Sequence, residues 1–591
     1  MARLDPHSYA DSDHPRTERV ELALRVDFAA RRLRGQATLR FDTPDGGPID
    51  LDTRDLSIEQ VTDLVGRPLP FTLHPAEPIL GSRLRVQLPP ESAGLRVSYA
   101  TSAEASALQW LDPAQTAGGQ KPYLFSQCQA IHARSVAPLQ DSPRFRIRYS
   151  AELTVPRELK ALMAAASLGR VQAGPGEATD RFEMPQPIPP YLLALAVGDL
   201  VTRDLSPRCA VWAEPSVVEA AAWEFADVEE IMKAAEALFG PYDWDRFDLL
   251  TMPPSFPYGG MENPRLTFLT PSLLAGDRSL VTVVAHELAH AWTGNLVTNA
   301  LADDFWLNEG FTVYAERRIL EALHGREAAE LHASIGRHEL EVALARFAAR
   351  PQLTRLRNDL RGVDPDDAFS SVPYEKGYLL LRHLEEVVGR PTWDAFLRSY
   401  LAKFRFQSVT TLDFLDALEA ELPEVGAKAQ VAEFLYEPGL PPFAPRPRST
   451  RLSEVQALAQ QAASGAVSAG ALQALTPIEL LLFLQALPPD LSLAAIAALR
   501  GPLRPESRSL EIQVAWLIAA LRAGDEAAVA HAERVLAATG RMKYLRPLFT
   551  ELSQRAETRP AAERIFARLR AGWHPIAQQS VERLLRPGSP A

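Results

Sequence analysis

The stretch VTVVAHELAHAWTGN, residues 281–295, is the most informative part of the sequence for the fold. Its periodicity predicts a helix, and residues four apart lie on one helix face. His286 and His290 can therefore reach one Zn²⁺, while Glu287 between them is suited to act as general base on a water. A bare HExxH match also occurs by chance in unrelated helices. The helical pattern on both sides of this match favours the metal site.

A second predicted helix supplies the third ligand. It begins in LNEGFTVYAE, residues 307–316, and Glu309 follows His290 with eighteen residues between them. This separation allows the first helix to end and the chain to return to the same metal. Two histidines and one carboxylate leave a fourth position open for water, as in catalytic zinc sites. Glu316, two turns further on, is either an acceptor for the outer N–H of a histidine ligand or a solvated glutamate.

The pattern of the sequence divides the chain into regions. From Arg19 to about Val201 it alternates, as in ERVELALRVDF and RFRIRYSAELTVP, which predicts an all-β region. Residues 1–15 are polar and are expected to be mobile. Helices follow, one of them spanning VEAAAWEFADVEEIMKAAEALFG, and a stacked helical array comes after a Pro-rich linker. The predicted boundaries are 1–201 for the β domain, 202–436 for the catalytic domain, 437–449 for the linker and 450–591 for the helical domain.

Composition excludes several classes of function. The 591 residues are 47 % hydrophobic and 23 % charged, which is typical of globular proteins. A net charge of −12 without a basic block argues against a nucleic-acid partner. No stretch approaches twenty apolar residues and the first twenty lack a signal-like apolar segment, so neither a membrane span nor export is expected. Two cysteines, Cys128 and Cys209, build no disulfide framework, which favours the cytoplasm.

A glycine motif precedes the zinc helix in PSFPYGGMENP, residues 254–264. By itself it predicts a glycine turn followed by a solvated glutamate. Together with HELAH and Glu309 it resembles the M1 family of zinc aminopeptidases, a gluzincin family. Segments at 123–143, 370–377 and 540–549 look like the leukotriene A(4) hydrolase and aminopeptidase B branch of that family.

The resemblance spans most of the chain and implies a multidomain α+β fold. Its expected parts are an N-terminal all-β saddle, a thermolysin-like, mainly helical zinc domain and a C-terminal all-α helical repeat of the HEAT or armadillo type.

The resemblance also implies a role for each matching residue. One zinc per chain is bound by His286, His290 and Glu309, and Glu287 activates water. Tyr374, otherwise a core tyrosine, donates a hydrogen bond to the oxyanion of the tetrahedral intermediate. The implied peptide-binding positions are Gln129 and Glu262 for the α-amine, Met261 in the same motif, Gly259 and Gly260 along the peptide path, Tyr258 in the first side-chain pocket, and Arg541 with Lys543 for a peptide carboxylate. Without the resemblance, the last two are basic residues at a helix start.

One position departs from this branch. Leukotriene A(4) hydrolase has a tyrosine where this chain has Phe369, and that tyrosine helps to shape its lipid-epoxide reaction. Asp366 matches the acid that directs water in the same reaction. Peptide hydrolysis is expected to survive the change, whereas efficient epoxide hydrolysis is in doubt. Asp366 could instead recognise a basic N-terminal side chain or cap a helix.

The expected function is zinc-dependent removal of the N-terminal residue from short peptides, with tripeptides favoured. The first alternative is a bifunctional enzyme that also hydrolyses epoxides, and the second is a non-enzymatic scaffold built on the helical array. A scaffold is expected to have lost a ligand or the base, and none is lost here. The expected partners are short peptides with a free N-terminus, with no nucleic acid and no membrane, and a monomer is favoured.

Overall fold

The structure is a computed structural model that describes Arg3 and residues 5–280, 282–463 and 466–586. Its N-terminal part is built from twelve strands. The alternation of buried and exposed residues along Thr17–Asp27 agrees with the predicted half-buried strand. The strands are β1 (Thr17–Asp27), β2 (Arg32–Thr53), β3 (Ser57–Asp63), β4 (Phe71–Leu73), β5 (Ser82–Ala100), β6 (Leu108–Leu111), β7 (Tyr123–Ser126), β8 (Ile147–Pro156), β9 (Lys160–Met163), β10 (Ala166–Gly174), β11 (Glu177–Ile188) and β12 (Leu195–Gly198).

These strands form two sheets. The larger has the order β10-β11-β8-β1-β2-β5-β3, with β4 paired to β5, and the smaller has the order β6-β7-β12-β9. Only the β1–β8 pair is parallel among the described ladders of these two sheets. The all-β prediction for this region is confirmed.

The expected mobility of residues 1–15 is wrong for the described part of this segment. Asp5, Ser8 and Tyr9 are buried. Ser8 Oγ donates to Asp52 Oδ2 at 2.6 Å, and Ser142 Oγ donates to Asp5 Oδ2 at 2.6 Å. Buried carboxylates that accept several hydrogen bonds fix the segment against the sheet, because leaving them unpaired would be costly. Residues 1, 2 and 4 lie outside the described residues.

The catalytic region combines helices with a sheet that the sequence analysis did not predict. The sheet has the order β13-β14-β15-β17-β16. Its three inner strands are short, mostly buried runs, which periodicity cannot distinguish from helix. The strands are β13 (Val201–Ser206), β14 (Cys209–Ala213), β15 (Asp248–Thr251), β16 (Gly260–Met261) and β17 (Leu266–Leu269), and β18 (Val297–Asn299) pairs separately with β19 (Gln407–Val409).

Ten α-helices among the described residues complete this region. The helix predicted over 218–240 is broken in two, because Phe225 leaves the helical conformation and is buried. The zinc helix ends at Ala289, earlier than predicted, and Val281 lies outside the described residues. The helices are α1 (Val218–Glu224), α2 (Val228–Phe239), α3 (Thr282–Ala289), α4 (Trp306–His324), α5 (Arg326–Arg346), α6 (Gly377–Val388), α7 (Arg390–Lys403), α8 (Thr411–Glu421), α9 (Val425–Lys428) and α10 (Val431–Tyr436).

The C-terminal helices form a two-layered array. α11 contacts α13, and the same layer continues through α15, α17 and α19, while α12, α14, α16 and α18 lie on the other side. This arrangement agrees with the predicted helical repeat. The helices are α11 (Thr450–Ala463), α12 (Ala469–Gln473), α13 (Pro477–Gln485), α14 (Leu493–Leu503), α15 (Leu510–Arg522), α16 (Glu526–Ala538), α17 (Met542–Gln554), α18 (Arg559–Leu569) and α19 (Pro575–Leu585).

The apolar core has two main parts. One runs without interruption from the N-terminal strands into the catalytic region, and the other lies within the C-terminal array. Residues 437–449 between them contain neither helix nor strand. Within the described part of the chain, no helix is long and apolar enough to cross a bilayer.

Candidate active site and metal centre

Two adjacent helices bring the three predicted metal ligands together. His286 lies in α3, His290 follows its last residue, and Glu309 lies in the first turn of α4. Glu309 Oε2 is 3.4 Å from His286 Nε2 and 3.6 Å from His290 Nε2. Ligand atoms placed about 2.0 Å from a tetrahedral zinc are roughly 3.3 Å apart, which is close to these separations.

The chemistry of the three side chains also fits a zinc ion. Glu309 Oε2 is buried and accepts no hydrogen bond from any described residue. A buried carboxylate oxygen without a partner is costly unless a cation completes its coordination. Two imidazole nitrogens and one carboxylate oxygen are a typical catalytic zinc set and leave one position for water or substrate.

Hydrogen bonds to the outer ring nitrogens orient both histidines. His286 Nδ1 lies 3.0 Å from Glu316 Oε2. His290 Nδ1 lies 3.1 Å from the Thr293 carbonyl oxygen and 3.1 Å from Thr312 Oγ1. A proton on each Nδ1 leaves Nε2 free to bind a metal. Of the two readings of Glu316, the structure favours the acceptor, because its side chain is only 16 % exposed.

The glycine motif passes between the general base and the C-terminal array. Gly260 lies in β16, at the edge of the sheet, and a Cβ there would lie 2.2 Å from Glu287 Oε1. A Cβ on Gly259 would lie 2.7 Å from a guanidinium nitrogen of Arg541. Only glycine therefore allows the backbone to approach both side chains.

Carboxylates are concentrated beside the metal site. Atoms of Glu262, Glu287 and His290 lie within 4.8 Å of one another. Burial raises the pKa of the Glu287 carboxyl to about 8, with further contributions from Glu309 and Glu316. Burial also raises the pKa of Glu262 well above its usual range, and Glu309 adds to this effect. Such a group of buried acids is suited to cationic ligands, a divalent metal and an ammonium group.

Neighbouring amides orient Glu262. Gln129 Nε2 donates to Glu262 Oε1 at 3.4 Å, so the two side chains that the resemblance assigns to the α-amine are in contact. Asn295 Nδ2 donates to the backbone carbonyl of Glu262 at 2.7 Å. Met261, the preceding residue, is buried and accepts a hydrogen bond at Sδ from Gln127. Gln129, Met261 and Glu262 thus lie close together beside the edge strand.

Tyr374 faces the metal ligands from a single π-helical turn, Val372–Lys376. Its ring stacks on that of His286 with centroids 6.2 Å apart. A close glycine contact holds this turn against α4, because a Cβ on Gly377 would lie 2.7 Å from Gly310 Cα. Burial and the Glu309 carboxylate raise the pKa of Tyr374, so its hydroxyl stays protonated and can donate. This position disfavours the core-tyrosine reading.

A largely apolar cleft opens beside these residues. Phe369 lies between Tyr258 and Tyr374, with its ring centroid 5.9 Å from each. Asp366 lies on the wall of the same cleft, and its Oδ2 is 2.9 Å from His132 Nε2. The helix-cap reading of Asp366 is wrong, because Asp364 caps the turn by accepting from Asp366 N. Other residues of the wall include Gln129, Phe305, Leu353, Leu356, Leu360 and Ala368.

The C-terminal array contributes a cation to the site. Arg541 is the N-cap residue of α17, is 5 % exposed and donates to Tyr544 Oη at 2.8 Å. Its buried Nε has no partner among the described residues, so it remains available to an anion. Lys543 is less available, because Glu511 and Glu339 hold its ammonium at 2.7 and 3.2 Å.

Sequence reasoning missed several residues that orient the site. These residues are Asn295, Thr293, Thr312 and His132. Asn295 and Thr293 follow HELAH in the turn that closes the zinc helix, which was a usable signal. The contacts of Thr312 and His132 depend on tertiary packing and had no signal in the linear pattern.

Comparison with known proteins gives a consistent picture over the whole chain. Three family models match: "Peptidase M1 N-terminal domain" over residues 6–192, "Peptidase family M1 domain" over 223–437, and "Leukotriene A4 hydrolase, C-terminal" over 475–585. A leukotriene A-4 hydrolase of Xenopus laevis is 39 % identical over 599 residues, covering 98 % of each chain. Leucine aminopeptidase 2 of Aspergillus niger is 37 % identical, covering 98 % of this chain and 97 % of that protein.

Solved structures extend the similarity to three dimensions. Yeast LTA4 hydrolase in complex with bestatin superposes with a TM-score of 0.92 at 33 % identity, covering 99 % of this chain and 97 % of that one. An M1 zinc metallopeptidase from Deinococcus radiodurans, at 22 % identity and a TM-score of 0.59, shares the fold over 74 % of this chain.

Proposed function

The chain belongs to peptidase family M1, and on that premise we propose that it removes the N-terminal residue from short unblocked peptides, tripeptides above all. As a member of that family it is a zinc-dependent metallo-aminopeptidase. The observation that carries the proposal is the position of Glu262, whose carboxylate lies within 4.8 Å of Glu287 and His290 atoms. An anion so close to the base binds a free α-amine and leaves only the first peptide bond in reach.

The metal-binding residues of the proposal are His286, His290 and Glu309, with Glu316, Thr293 and Thr312 orienting the histidines. Zinc bound there supplies a Lewis acid for a peptide carbonyl and for a water molecule.

Glu287 and Tyr374 carry the proton and charge changes of the reaction. Glu287 takes a proton from the attacking water and returns it to the leaving amine. Its position supports this role, because the edge strand that binds the peptide touches its carboxylate at Gly260. Tyr374 donates its hydroxyl hydrogen to the oxyanion of the tetrahedral intermediate.

Charged and polar side chains bind both the α-amine and the C-terminal carboxylate of a short peptide. Gln129 and Glu262 bind the α-amine at one end. Arg541 binds the C-terminal carboxylate at the other end, and its unpartnered, buried Nε supports this assignment. Lys543, two residues after Arg541, contributes less, because Glu511 and Glu339 hold its ammonium. Binding at both ends favours a peptide that fits between them, which is the reason to expect tripeptides.

The first side chain of the substrate enters the cleft that Tyr258 and Phe369 line. Asp366 on its wall offers a carboxylate to a basic side chain such as that of arginine. A cleft with apolar walls and one charged group accepts the long stem of arginine and pairs its guanidinium.

Lipid-epoxide hydrolysis is a second candidate function. The apolar cleft beside the zinc ligands and the presence of Asp366 favour it, and a similar protein from Xenopus laevis has the name leukotriene A-4 hydrolase. Phe369 lacks the phenol expected for that reaction. This function is supported if the wild type turns over a lipid epoxide and Asp366→Asn does not. A wild type that turns over no lipid epoxide would refute it.

A panel of peptides tests the main proposal. Arg-, Ala- and Leu-initiated tripeptides, each free and N-acetylated, are incubated with and without a zinc chelator. We expect chelator-sensitive cleavage of the free peptides only. Equal cleavage of acetylated peptides would refute the role of Glu262, and no cleavage of any peptide would refute the proposal.

We further propose a cytoplasmic location and a monomer. Two free buried thiols, Cys128 and Cys209, support a reducing compartment. Size-exclusion chromatography with light scattering tests the monomer.

A further inference from the structure

One short loop serves two subsites of the proposed active site. Residues 128–132 present Gln129 to Glu262 and His132 to Asp366. His132 is 7 % exposed, and its Nε2 lies 2.9 Å from Asp366 Oδ2. No role of His132 follows from zinc binding or peptide hydrolysis, so its contact with the cleft carboxylate calls for an explanation.

The partners of the other ring nitrogen determine where the proton of His132 resides. Arg54 NH1 is 2.9 Å from His132 Nδ1, and Ser106 Oγ is 2.8 Å from it. A guanidinium only donates hydrogen bonds and stays charged. His132 Nδ1 must therefore accept and carry no proton. The single ring proton then lies on Nε2 and is donated to Asp366, which leaves the imidazole neutral.

A neutral donor preserves the charge of the cleft. An imidazolium at the same distance would form an ion pair with Asp366 and cancel its charge. Here the second oxygen, Oδ1, accepts no hydrogen bond from the described residues, and the side chain is 27 % exposed. Asp366 thus presents one oriented, charged oxygen to the cleft.

We propose that His132, held by Arg54 in the tautomer with its proton on Nε2, is a positioning residue that makes Asp366 select peptides with a cationic N-terminal side chain. This inference rests on the proposed aminopeptidase function and goes beyond it, because it names the groups that set the charge of the specificity site. The guanidinium of Arg54 fixes this tautomer, because it donates to the ring nitrogen that would otherwise take a second proton.

Other charged groups surround this pair. Arg134 and Asp141 lie behind Arg54, and Asp364 lies on the same turn as Asp366. From the C-terminal array, His574 faces His132, and Arg583 acts on Asp366.

The charge states of His574 and Asp366 follow from their surroundings. Burial lowers the pKa of His574 to about 3, so this residue stays neutral. Burial alone would raise the pKa of Asp366, but His132, Arg54 and Arg583 lower it, so the carboxylate stays charged.

The measured quantity is the ratio of kcat/KM for Arg-Ala-Ala to that for Ala-Ala-Ala. Titration of the α-amine and of the metal site affects both peptides and cancels in this ratio. Asp366→Asn gives the reference for a lost charge. His132→Leu should lower the ratio roughly tenfold, as for one lost hydrogen bond to a charged group. His132→Gln retains an N–H donor near the position of Nε2 and should restore most of the ratio, with exposed His338→Leu as matched control.

The pH dependence of the kcat/KM ratio tests whether Arg54 fixes the tautomer of His132. Arg54→Met removes the guanidinium that donates to Nδ1, so this nitrogen becomes free to take a proton while Nε2–H still contacts Asp366. The ratio of this variant should fall roughly fivefold from pH 8 to pH 6, because an imidazolium then neutralises Asp366. The wild type and the exposed-site control Arg34→Met should keep a constant ratio over the same range.

The outcomes separate the two levels of the argument. A wild type that cleaves neither peptide overturns the aminopeptidase proposal and this inference together. If the wild type cleaves both, an unchanged ratio in Asp366→Asn or His132→Leu overturns the inference alone. A flat pH profile in Arg54→Met also overturns it, and this test remains available if His132→Leu does not fold.

Discussion

At the scale of single residues, two buried side chains of the site have a polar atom that lacks a hydrogen-bond partner among the described residues. Glu309 has a buried carboxylate oxygen and Arg541 a buried guanidine nitrogen that accept or donate no hydrogen bond to any residue the structure describes. Both atoms lie beside the proposed substrate path, which distinguishes them from buried polar atoms without a partner elsewhere in the described chain. The first points to a cation and the second to an anion, which are the metal and the peptide carboxylate of the proposed mechanism.

Replacing Tyr374 by phenylalanine tests the oxyanion donor. We expect Tyr374→Phe to lower kcat about 100- to 1000-fold with little change in KM, because the lost hydrogen bond forms only in the transition state. Steady-state kinetics with Ala-Ala-Ala measures this effect, and zinc analysis confirms that the metal is retained. A kcat within a factor of two of wild type would contradict the role.

Replacing Glu316 tests the acceptor that orients a zinc ligand. Glu316→Ala should weaken zinc binding roughly 10- to 100-fold, since His286 Nδ1 loses its carboxylate partner. Competition with a chromophoric chelator measures the affinity. Glu557→Ala, an exposed glutamate of the C-terminal array, is the control. Equal affinities for the two variants would return Glu316 to the surface-glutamate reading.

At the scale of elements, the position of each catalytic group depends on close contacts between backbones. Gly310 in α4 and Gly377 at the start of α6 touch, and a Cβ on Gly310 would lie 2.7 Å from Gly377 Cα. The π-helical turn with Tyr374 immediately precedes this contact. The distance between α4, which carries Glu309, and Tyr374 is therefore set by two glycines.

Gly310→Ala tests this contact. The added methyl group should push the Tyr374 turn away from the metal ligands and lower kcat by roughly 10- to 100-fold, because small displacements of catalytic groups are costly. Kinetics and zinc content are measured together. Gly470→Ala is the matched control, since a Cβ at that helical glycine meets nothing within 4 Å. Full activity in Gly310→Ala would show that the turn tolerates the shift.

At the scale of the whole molecule, the site is assembled from distant parts of the chain. The β domain contributes Gln129 and His132, the catalytic region the metal ligands, and the C-terminal array Arg541. Backbone hydrogen bonds fix the last of these, because Gly540 N donates to Pro254 O at 2.7 Å and Met542 N to Pro257 O at 2.8 Å. The array is therefore one wall of the active site.

Arg541→Met tests whether the C-terminal array binds the carboxylate of the peptide. We expect kcat/KM for a tripeptide with a free carboxylate to fall about 10- to 100-fold, because a hydrogen-bonded charge pair is lost. The corresponding tripeptide amide should change little. Lys543→Met should have a smaller effect, since two glutamates already hold its ammonium. An equal loss for acid and amide would refute carboxylate recognition.

The sequence by itself determined the class of metal site and the three parts of the fold. The helical spacing of HELAH places both histidines on one face, the eighteen-residue separation allows Glu309 on the next helix to return to them, and alternation along the N-terminal strands dictates sheet. The glycine motif and the resemblance to M1 peptidases added the expected residue roles. These features were readable because periodicity and spacing act over a few residues of one chain segment.

Only the tertiary structure decided which distant side chains meet. The anchoring of Asp5 and Ser8, the short buried strands of the catalytic sheet and the break at Phe225 depend on packing partners far along the chain. The same holds for Arg54, His132 and Asp366, which lie far apart in sequence and within hydrogen-bonding distance in space. Burial and hydrogen bonding across domains have no period in the sequence, so no local pattern could predict them.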